Sequence, residues 1–438
     1  MPQPSSDTFP IVGIGASAGG LEAFSELLAH LSLDAAMAFV LVQHLDPKYP
    51  SILSEILSRT TPLPVIEVQH GVRVEPGHVY VMPPNTSITI AEGVLNLAPR
   101  SDVRGPHMPI DRFLRSLAED AKNRAIGVIL SGSASDGALG LKAIKAEGGV
   151  TFAEAPQSAK FDGMPRSAMA AGAVDFVLTP KAIAQELIRI GRHPYLGETS
   201  VAPPSESLAD GPEALAQIFR MLREKNGLDF TFYRQTTIRR RIARRMLIHG
   251  VGTLEAYRRY LEEHPSQVQA LSNDLLVNVT RFFRDADAFR ILQRSVFPSI
   301  IKQRLPDAPI RIWAPGCATG EEAYSLAIEL LECLGDEAAT APIQLFGTDV
   351  SETSIEKARA GVYPENIELD VSAVRLRRFF VKVDGQYQVR KAVRELCVFA
   401  KHNLATDPPF SKMDFIVCRN VLIYLEAELQ RRMSSTFH

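Results

Sequence analysis

Two rhythms of apolar and polar positions alternate along the first half of the chain. The apolar run FPIVGIGA ends in a glycine-rich turn, LEAFSELLAHL continues with apolar residues at helical spacing, and AFVLVQHLD is the next apolar run. The same order returns in AIGVILSGSASDGALGLKAIKAEGG, and VTFAEA and VDFVLTP have the pattern of two further short strands. Strands that alternate with helices predict an α/β domain with a mainly parallel sheet.

The pattern changes further along the chain. VEPGHVYVMPPNTSITIAEGVLNLAP consists of short extended pieces separated by Pro, Gly and Asn, which predicts a β-rich excursion in the first domain. GRHPYLGETSVAPPSESLADGPE lacks an apolar period and indicates a linker. Four helical patterns follow, and from IRIWAPG strands and helices alternate again, with a β-hairpin predicted around Asp384 and Gly385. We therefore predict an α/β domain at 9–194, a linker at 195–211, a small all-helical domain at 212–272 and a second α/β domain at 273–438.

Composition narrows the class of protein. The 438 residues are 46% hydrophobic and 22% charged, as in soluble globular proteins, and the net charge of −2 creates no general field for nucleic acid. None of the four cysteines has C-x-x-C spacing, which argues against a zinc site and fits a reducing compartment. The N-terminus lacks the features of a signal peptide, and no apolar run approaches the roughly 18 residues of a membrane helix. We expect a cytoplasmic protein with no metal, no nucleic-acid partner and no direct membrane insertion.

The first candidate chemistry lies at three predicted strand ends. Ser17 stands in G-A-S-A-G, a sharp strand-to-helix turn that exposes a hydroxyl and directs backbone N–H groups towards a developing oxyanion. His44 ends the next strand, and Asp136 lies in the S-G-S-A-S-D-G turn after a third strand. Because the carboxyl ends of parallel strands share one edge, these residues can form a nucleophile, a general base and an orienting carboxylate.

Other interpretations of these residues remain open at this point. The glycines of GIGASAGG also fit a dinucleotide loop, and hence a nicotinamide-dependent oxidoreductase, although no acidic residue ends the second strand. His44 alone is more often structural, and Asp136 alone is more often a turn residue beside a glycine. The chain order Ser, His, Asp differs from the Ser, Asp, His order of α/β-hydrolases.

Residues 9–194 resemble a known family in four motifs. IGASAGG, QHL, SGSASDGALG and FDGMPRSA are similar to the catalytic domain of the CheB-type chemotaxis protein-glutamate methylesterases. The resemblance implies a catalytic triad of Ser17, His44 and Asp136 that needs no cofactor, hydrolyses glutamyl methyl esters on chemoreceptors and often deamidates glutamines. The phospho-receiver domain that usually precedes this domain is not expected here, because the first catalytic strand starts near Ile11. Ala18 replaces a frequent threonine, and a backbone donor survives that change.

The second candidate chemistry lies in the strand, glycine turn and helix of IRIWAPGCATGEEAYSLAI. Gly316 lets the backbone approach a ligand closely, and Glu321 and Glu322 stand at the helix start. The two acids either match the helix dipole or bind a cationic ligand or a ribose, and they disfavour a phosphate. Asp349, at the end of the next strand, stands where an acid binds ribose hydroxyls in nucleotide-binding folds.

Residues from about 213 to the end resemble the CheR-type chemotaxis receptor methyltransferases. The shared motifs are TRFFRD, GCATGEEAYS, GTD, FAKHNL and FIVCRNVLIY. The resemblance implies a Rossmann-like class I methyltransferase with S-adenosyl-L-methionine as methyl donor and methyl-accepting chemoreceptors as partners. The residues that would line the site are Thr280, Arg284, Gly316, Glu322, Asp349, Asn403, Leu404 and Asn420. Arg284 and Tyr424 would stand by the methyl group, and Arg284 could hold the acceptor carboxylate. A carboxylate is already a nucleophile, so no general base is needed.

Several alternatives accompany the second half. DPPF at 407–410 suggests an amino-methyltransferase acting on nucleic acid, but it precedes the fourth strand and we interpret it as a loop. The arginine run in TTIRRRIARR is either a solvated helix face, a nucleic-acid surface or, as we prefer, a docking surface for acidic receptor helices. The resemblance implies three more strands after the last helix, so we expect a truncated methyltransferase sheet. We predict a bifunctional receptor-modifying enzyme, with a signalling scaffold that has idle sites as the alternative.

Overall fold

A computed structural model describes residues 9–32, 36–44, 52–100, 108–197, 211–276, 280–304 and 308–437. The chain divides into two compact units, residues 1–228 with 236–275 and residues 229–235 with 276–438. The chain therefore contributes seven residues, 229–235, to the second unit, returns to the first unit for residues 236–275, and forms the rest of the second unit from residue 276 onward. The linker predicted at 195–211 falls mainly on 198–210, which lie outside the described residues.

The first unit contains a seven-stranded parallel sheet and a small antiparallel one. Its described strands are β1 (Ile11–Ala16), β2 (Ala38–Gln43), β3 (Val65–Glu67), β4 (Val72–Arg73), β5 (Val79–Val81), β6 (Thr86–Ala91), β7 (Val94–Pro99), β8 (Ala125–Ile129), β9 (Val150–Glu154) and β10 (Phe176–Leu178). The large sheet has the order β10-β9-β8-β1-β2-β5-β3, and the small one β4-β7-β6. The predicted parallel α/β domain is confirmed. The predicted β-rich excursion is partly wrong, because Val79–Val81 is fully buried and pairs with β2 in the large sheet.

Helices cover both faces of the large sheet. They are α1 (Gly20–Ala29), α2 (Leu53–Ser58), α3 (Pro109–Ala121), α4 (Ala138–Ala146), α5 (Gly163–Ala170), α6 (Pro180–Gly191) and α7 (Pro194–Gly197). Apolar residues of α1 and α6 form one core cluster with one face of the sheet. Apolar residues of α3 and α4 form a second cluster with the other face. The continuous apolar strands follow from this double coverage.

The four predicted helices of the small domain are all present. They are α8 (Pro212–Asn226), α9 (Gln235–His249), α10 (Leu254–Glu263) and α11 (Pro265–Leu275). For three of the five arginines of the run on α9, the structure contradicts both the solvated face and the preferred docking surface for receptor helices. Arg241, Arg244 and Arg245 are buried within the first unit. Burying a guanidinium requires paired carboxylates and carbonyls, and the first unit supplies them.

His249, at the end of α9, makes the stability of the first unit depend on pH. The Arg245 guanidinium donates to His249 Nε2 at 2.9 Å, and Tyr260 Oη lies 3.1 Å from Nδ1. Burial first, and then the charges of Arg245 and His264, lower the pKa of His249 to about 4, although Asp175 and Asp274 act in the opposite direction. The folded protein therefore keeps this ring neutral well below the usual pKa of about 6.5.

We expect the free energy of unfolding to fall between pH 6.5 and pH 4. The unfolded chain takes up a proton on His249 in this window and the folded chain does not, so acid favours unfolding. For a half-buried ring the loss is about 1–2 kcal/mol after screening by solvent. Urea unfolding followed by circular dichroism at pH 7 and pH 4.5 measures it. His249→Gln should flatten the dependence, and an equal loss in that variant would contradict the assignment.

The second unit contains a parallel sheet and an antiparallel one. Its described strands are β11 (Ile310–Pro315), β12 (Ile343–Asp349), β13 (Val362–Tyr363), β14 (Phe380–Val383), β15 (Gln386–Val389), β16 (Cys397–Lys401) and β17 (Phe415–Ile416). Its described α-helices are α12 (Ala286–Ile291), α13 (Phe297–Gln303), α14 (Glu321–Leu334), α15 (Glu352–Ala360), α16 (Ala373–Phe379), α17 (Lys391–Arg394) and α18 (Ala427–Thr436). The parallel order is β16-β12-β11-β17, and the antiparallel order is β13-β15-β14. The predicted second α/β fold is confirmed.

The predicted hairpin is also present in the second unit. β14 and β15 pair with Val383 opposite Gln386, and Asp384 and Gly385 form the turn with φ of 48° and 75°. Two central residues with positive φ match the twist of the paired strands, which explains the Asp-Gly sequence. The DPPF segment at 407–410 is a loop, as predicted. Among the described helices, none combines the length and the apolar character needed to cross a membrane.

Two candidate active sites

The register of two neighbouring strands brings Ser17 and His44 together. β1 and β2 are parallel, and their last residues, Ala16 and Gln43, are directly paired. Ser17 and His44 therefore leave the sheet side by side, and the His44 N–H donates to the Ala16 carbonyl at 3.4 Å. Both residues are half-buried at the carboxyl edge of the sheet, where active sites form in parallel α/β folds.

Asp136 is buried beside His44 and is only 1% exposed. His44 Nε2 lies 2.8 Å from Asp136 Oδ2. The same carboxylate accepts hydrogen bonds from the Ile110 N–H at 3.0 Å and the Asp111 N–H at 2.8 Å. These N–H groups begin α3, so the helix dipole also stabilises the negative charge. The carboxylate is held on two sides and fixes the orientation of the imidazole ring.

Two glycines of β1 allow α3 to reach Asp136. A Cβ at Gly13 would lie 2.6 Å from Leu114 Cδ2, and one at Gly15 would lie 2.3 Å from Ile110 Cγ2. Both distances are too short for a side chain, so α3 packs closely on β1 because these positions are glycine. This use of the glycines, inside a strand and against a helix, supports the esterase interpretation over the dinucleotide loop.

Ser131 holds the turn that carries Ser17. The Ser17 N–H donates to the Ser131 carbonyl at 2.9 Å, and Ser131 Oγ donates to the Ala18 carbonyl at 2.9 Å. The Ser131 N–H in turn donates to Glu154 Oε2 at 2.9 Å. Glu154 is 2% exposed, and burial raises the pKa of its carboxyl group. We missed Ser131 and Glu154 in the sequence, where nothing but their positions at neighbouring strand ends marks them.

The second site is a pocket at the carboxyl edge of β11. Its lining residues are Thr280, Arg281, Arg284, Phe289, Gly316, Ala318, Glu322, Arg419, Asn420 and Val421. Five of the eight residues predicted to line the cofactor site are therefore together in one pocket. Gly316 has φ of 71°, and a Cβ there would lie 2.2 Å from Val421 Cγ2.

Arg419 organises the charges of this pocket. Its Nη1 donates to Glu322 Oε1 at 2.9 Å, and its Nη2 donates to Asp285 Oδ2 at 2.5 Å and to the Arg284 carbonyl at 2.8 Å. Burial raises the pKa of Glu322, and the charge of Arg419 opposes that rise. We did not predict Arg419, although it directly precedes the predicted Asn420 at the end of a strand.

Asp349 does not line the pocket but accepts a hydrogen bond from the glycine loop that does. Its Oδ2 accepts from the Ala318 N–H at 3.0 Å, and its Oδ1 accepts from the Ser351 N–H at 2.9 Å. Burial raises the pKa of Asp349, whereas these backbone hydrogen bonds lower it. A carboxylate offers about four acceptor sites, so Asp349 can still accept a hydrogen bond from a ligand hydroxyl.

The remaining predicted residues lie outside the lining of this pocket. Asn403 caps its own turn by accepting from the Ala405 N–H at 3.0 Å, and the preceding His402 N–H donates to the Asp349 carbonyl. Leu404 packs with a separate apolar cluster that includes Leu425 of the C-terminal region. Tyr424 ends a short 3-10 turn at Leu422–Tyr424.

Tyr233 is a further residue that the sequence did not reveal. It pairs with Leu425 in an isolated antiparallel bridge, and the Arg234 N–H donates to the Tyr424 carbonyl at 2.9 Å. Burial, together with the charge of Asp349, raises the pKa of Tyr233 to about 12. Residues 229–235, which belong to the second unit, thus contact the segment that contains Tyr424 and Leu425.

Family models match three consecutive parts of the chain. Residues 12–187 match the CheB methylesterase, residues 213–276 match the all-alpha domain of the CheR methyltransferase, and residues 278–438 match its SAM-binding domain. The chain belongs to the CheB and CheR families, fused in one polypeptide. The CheB-type domain carries Ser17, and the CheR-type SAM-binding domain carries the pocket around Glu322.

Curated relatives agree with this division. A protein of Rhodobacter capsulatus described as an "uncharacterized 104.1 kDa protein in hypE 3'region" is 38% identical over 404 residues, which is 88% of this chain and 42% of that protein. A Burkholderia lata "protein-glutamate methylesterase/protein-glutamine glutaminase 2" is 39% identical over 189 residues, 43% of this chain and 56% of that protein. A Pseudomonas aeruginosa "chemotaxis protein methyltransferase 2" is 31% identical over 228 residues, 50% of this chain and 79% of that protein. The chain thus spans less than half of the Rhodobacter relative.

The residues of the CheR-type pocket fit S-adenosylmethionine, the methyl donor of this family. The largely buried side chain of Glu322 suits a ligand with an amine and a sulfonium, and Arg281 suits its carboxylate. Gly316 leaves the backbone bare where a side chain would collide with Val421. Within the described residues, no group of three His, Cys, Asp or Glu side chains is arranged to hold a metal ion.

Proposed function

We propose that the CheB-type domain hydrolyses glutamyl methyl esters on methyl-accepting chemoreceptors with a Ser17–His44–Asp136 triad. The observation that carries this proposal is the 2.8 Å contact between His44 and an Asp136 carboxylate fixed at the start of α3. A buried carboxylate in this position orients the ring and stabilises the imidazolium that forms when Ser17 loses its proton.

The proposed reaction proceeds in two halves. Ser17 Oγ attacks the ester carbonyl carbon while His44 removes the hydroxyl proton. Because Nε2 faces Asp136, Nδ1 is the nitrogen that would accept this proton. The protonated His44 then donates to the leaving methoxide, which departs as methanol, and leaves an acyl group on Ser17. Water, deprotonated by His44, then attacks the acyl carbon. The bond from that carbon to Ser17 Oγ breaks, His44 returns its proton to Ser17, and the glutamate carboxylate is released. A glutamine side chain would follow the same course with ammonia as the leaving group.

The amino end of α1 supports the stabilisation of the oxyanion. α1 begins at Gly20, three residues after Ser17, and Gly19 turns the chain with φ of 74°. The positive end of the helix dipole therefore lies beside the nucleophile. Negative charge that develops on the carbonyl oxygen would be stabilised there without rearrangement.

We further propose that the CheR-type half methylates receptor glutamates. S-adenosylmethionine supplies the methyl group when it is bound. Glu322 and Asp349 would hold its charged and hydroxyl groups, Asn420 would line the same site, and Arg284 would hold the acceptor carboxylate. The acceptor is already ionised, so these residues act by binding and orientation rather than by proton transfer.

Two assays on the whole chain test the proposed function. Incubation with a purified chemoreceptor carrying glutamyl methyl esters should release methanol, and titration calorimetry should detect binding of S-adenosylmethionine. A chain that leaves the esters intact would refute the esterase. A chain that neither binds S-adenosylmethionine nor labels the demethylated receptor would leave the CheR-type half as a scaffold.

A further inference from the structure

The arginines of α9 make contacts inside the first unit that no sequence pattern predicts. Arg244 is fully buried, Arg241 is 5% exposed and Arg245 is 7% exposed. Solvated arginine faces are the usual state of such a helix, because burying an unpaired guanidinium costs several kcal/mol. The contacts that compensate this cost come from both the helical segment and the CheB-type domain.

Arg244 joins carboxylates from these two parts of the chain. It pairs with Asp175, which directly precedes β10, and with Asp274 of α11, at 3.0 Å from Nη1 to Oδ2. Its Nε donates to the Gly149 carbonyl at 2.8 Å. Asp175 is held in place by the Thr151 N–H and hydroxyl and by Lys145. Burial would raise the pKa of Asp175, but the charges of Arg244 and Lys145 lower it, so the pair stays ionised at neutral pH.

Arg241 binds the end of a helix of the CheB-type domain. Its Nη1 donates to the Lys145 carbonyl at 2.9 Å, and its Nη2 donates to the Ala146 carbonyl. Both carbonyls belong to the last turn of α4, where the helix dipole is negative and backbone acceptors need donors. A guanidinium at this position satisfies those acceptors and the dipole together.

An apolar contact adds a second kind of evidence. Leu247 of α9 is fully buried in the same hydrophobic cluster as Ile183 and Leu187 of α6. Arg189, also on α6, donates to the Leu247 carbonyl at 2.9 Å. Leu247 is therefore part of the CheB-type core.

These contacts lie away from the candidate triad. Lys145, Ala146 and Gly149 precede β9 and so lie at the amino edge of the parallel sheet, whereas Ser17 and His44 follow strands at its carboxyl edge. Because α9 docks at the amino edge, it does not cover the carboxyl edge, where the candidate triad lies.

We propose that the arginine face of α9 is a permanent docking surface whose partner is the CheB-type domain of the same chain. The CheB-type domain contributes three kinds of group to this contact. They are the buried carboxylate of Asp175, the carbonyls that end α4, and the apolar cluster that includes Leu247. The proposal does not depend on either catalytic activity.

Cleavage of the connecting segment tests the docking. A protease recognition sequence replaces residues 203–208, which lie outside the described residues, and the folded chain is cut there. We expect the two fragments to elute together in size-exclusion chromatography at micromolar concentration and physiological salt. Fragments that separate would overturn the proposal. If the released C-terminal fragment then binds polyglutamate, the face belongs to an external acidic partner instead.

Variants show whether this particular face holds the fragments together. Arg244→Ala removes the link between Asp175 and Asp274 and should weaken association by about 100-fold or more. Asp175→Asn, on the other side of the contact, keeps the side-chain shape and replaces that variant if it fails to fold. Arg258→Ala is the matched control, because Arg258 pairs with Glu255 and Glu262 on its own helix. Association unchanged in both test variants would contradict the proposal.

Discussion

Replacing Ser17 by alanine is expected to reduce methanol release from a methylated chemoreceptor by about 10⁴-fold or more. The loss is large because, in the proposed reaction, the Ser17 hydroxyl forms the acyl intermediate. Methanol is measured over time with equal amounts of folded protein. Ser58→Ala is a matched control, since the Ser58 hydroxyl donates to the Glu55 carbonyl within its own helix.

A second variant tests Asp136, which is proposed to orient the His44 base, independently of the proposed nucleophile Ser17. Asp136→Asn should lower the rate by a comparable factor, because an amide cannot stabilise the imidazolium of His44. The amide would also face the N–H groups of Ile110 and Asp111, so circular dichroism must accompany the assay. Methanol release that survives Ser17→Ala would show that the ester is cleaved elsewhere in the chain.

Replacing Arg419 by alanine is expected to lower the affinity for S-adenosylmethionine by about 100-fold. The Glu322 side chain is only 13% exposed, and without Arg419 its charge is left in the pocket with its main partner removed. Protonation of Glu322 then becomes easier, and the pocket loses the negative charge that attracts a cationic ligand. Titration calorimetry at pH 7 measures the change.

Two companion variants make this result specific. Arg419→Lys keeps the charge but not the two-pronged geometry, so its affinity should lie between those of the unchanged chain and Arg419→Ala. Arg290→Ala removes an exposed arginine that pairs with Asp287 and should leave the affinity unchanged. Equal affinities for all variants would show that the donor does not occupy the pocket around Glu322.

The sequence predicted the candidate catalytic residues that follow the ends of parallel strands. Ser17, His44 and Asp136 each follow an apolar strand, and parallel strands deliver such residues to one edge. The helix start that holds Asp136 was not predictable in this way, because α3 is distant along the chain and its approach depends on Gly13 and Gly15. In the sequence, these glycines also fitted a dinucleotide loop. Their role in the close packing of α3 on β1 becomes visible only when the position of α3 is known.

The arginines of α9 show the other limit of sequence reasoning. An arginine run gives the same pattern whether it faces water, nucleic acid, a receptor or another domain of the chain. The deciding facts are long-range: Asp175 lies 69 positions before Arg244, and Asp274 lies 30 positions after it. In the CheR-type half, Glu322 and Asn420 were predicted from motifs. Arg419 stands in the motif FIVCRNVLIY but was not singled out, and Tyr233 lies outside every quoted motif.

Residues 229–235 belong to the second unit while the helices on either side belong to the first. A gene cut once between α8 and α11 therefore divides at least one unit, and a cut just after α11 separates Tyr233 from Leu425, its partner in the bridge. A separate CheR-type half would have to begin before residue 229 and would then take with it helices that pack on the CheB-type core. A breakpoint within residues 229–275 would thus disrupt a folded unit, whereas the boundary between the two families, between residues 187 and 213, lies outside that stretch.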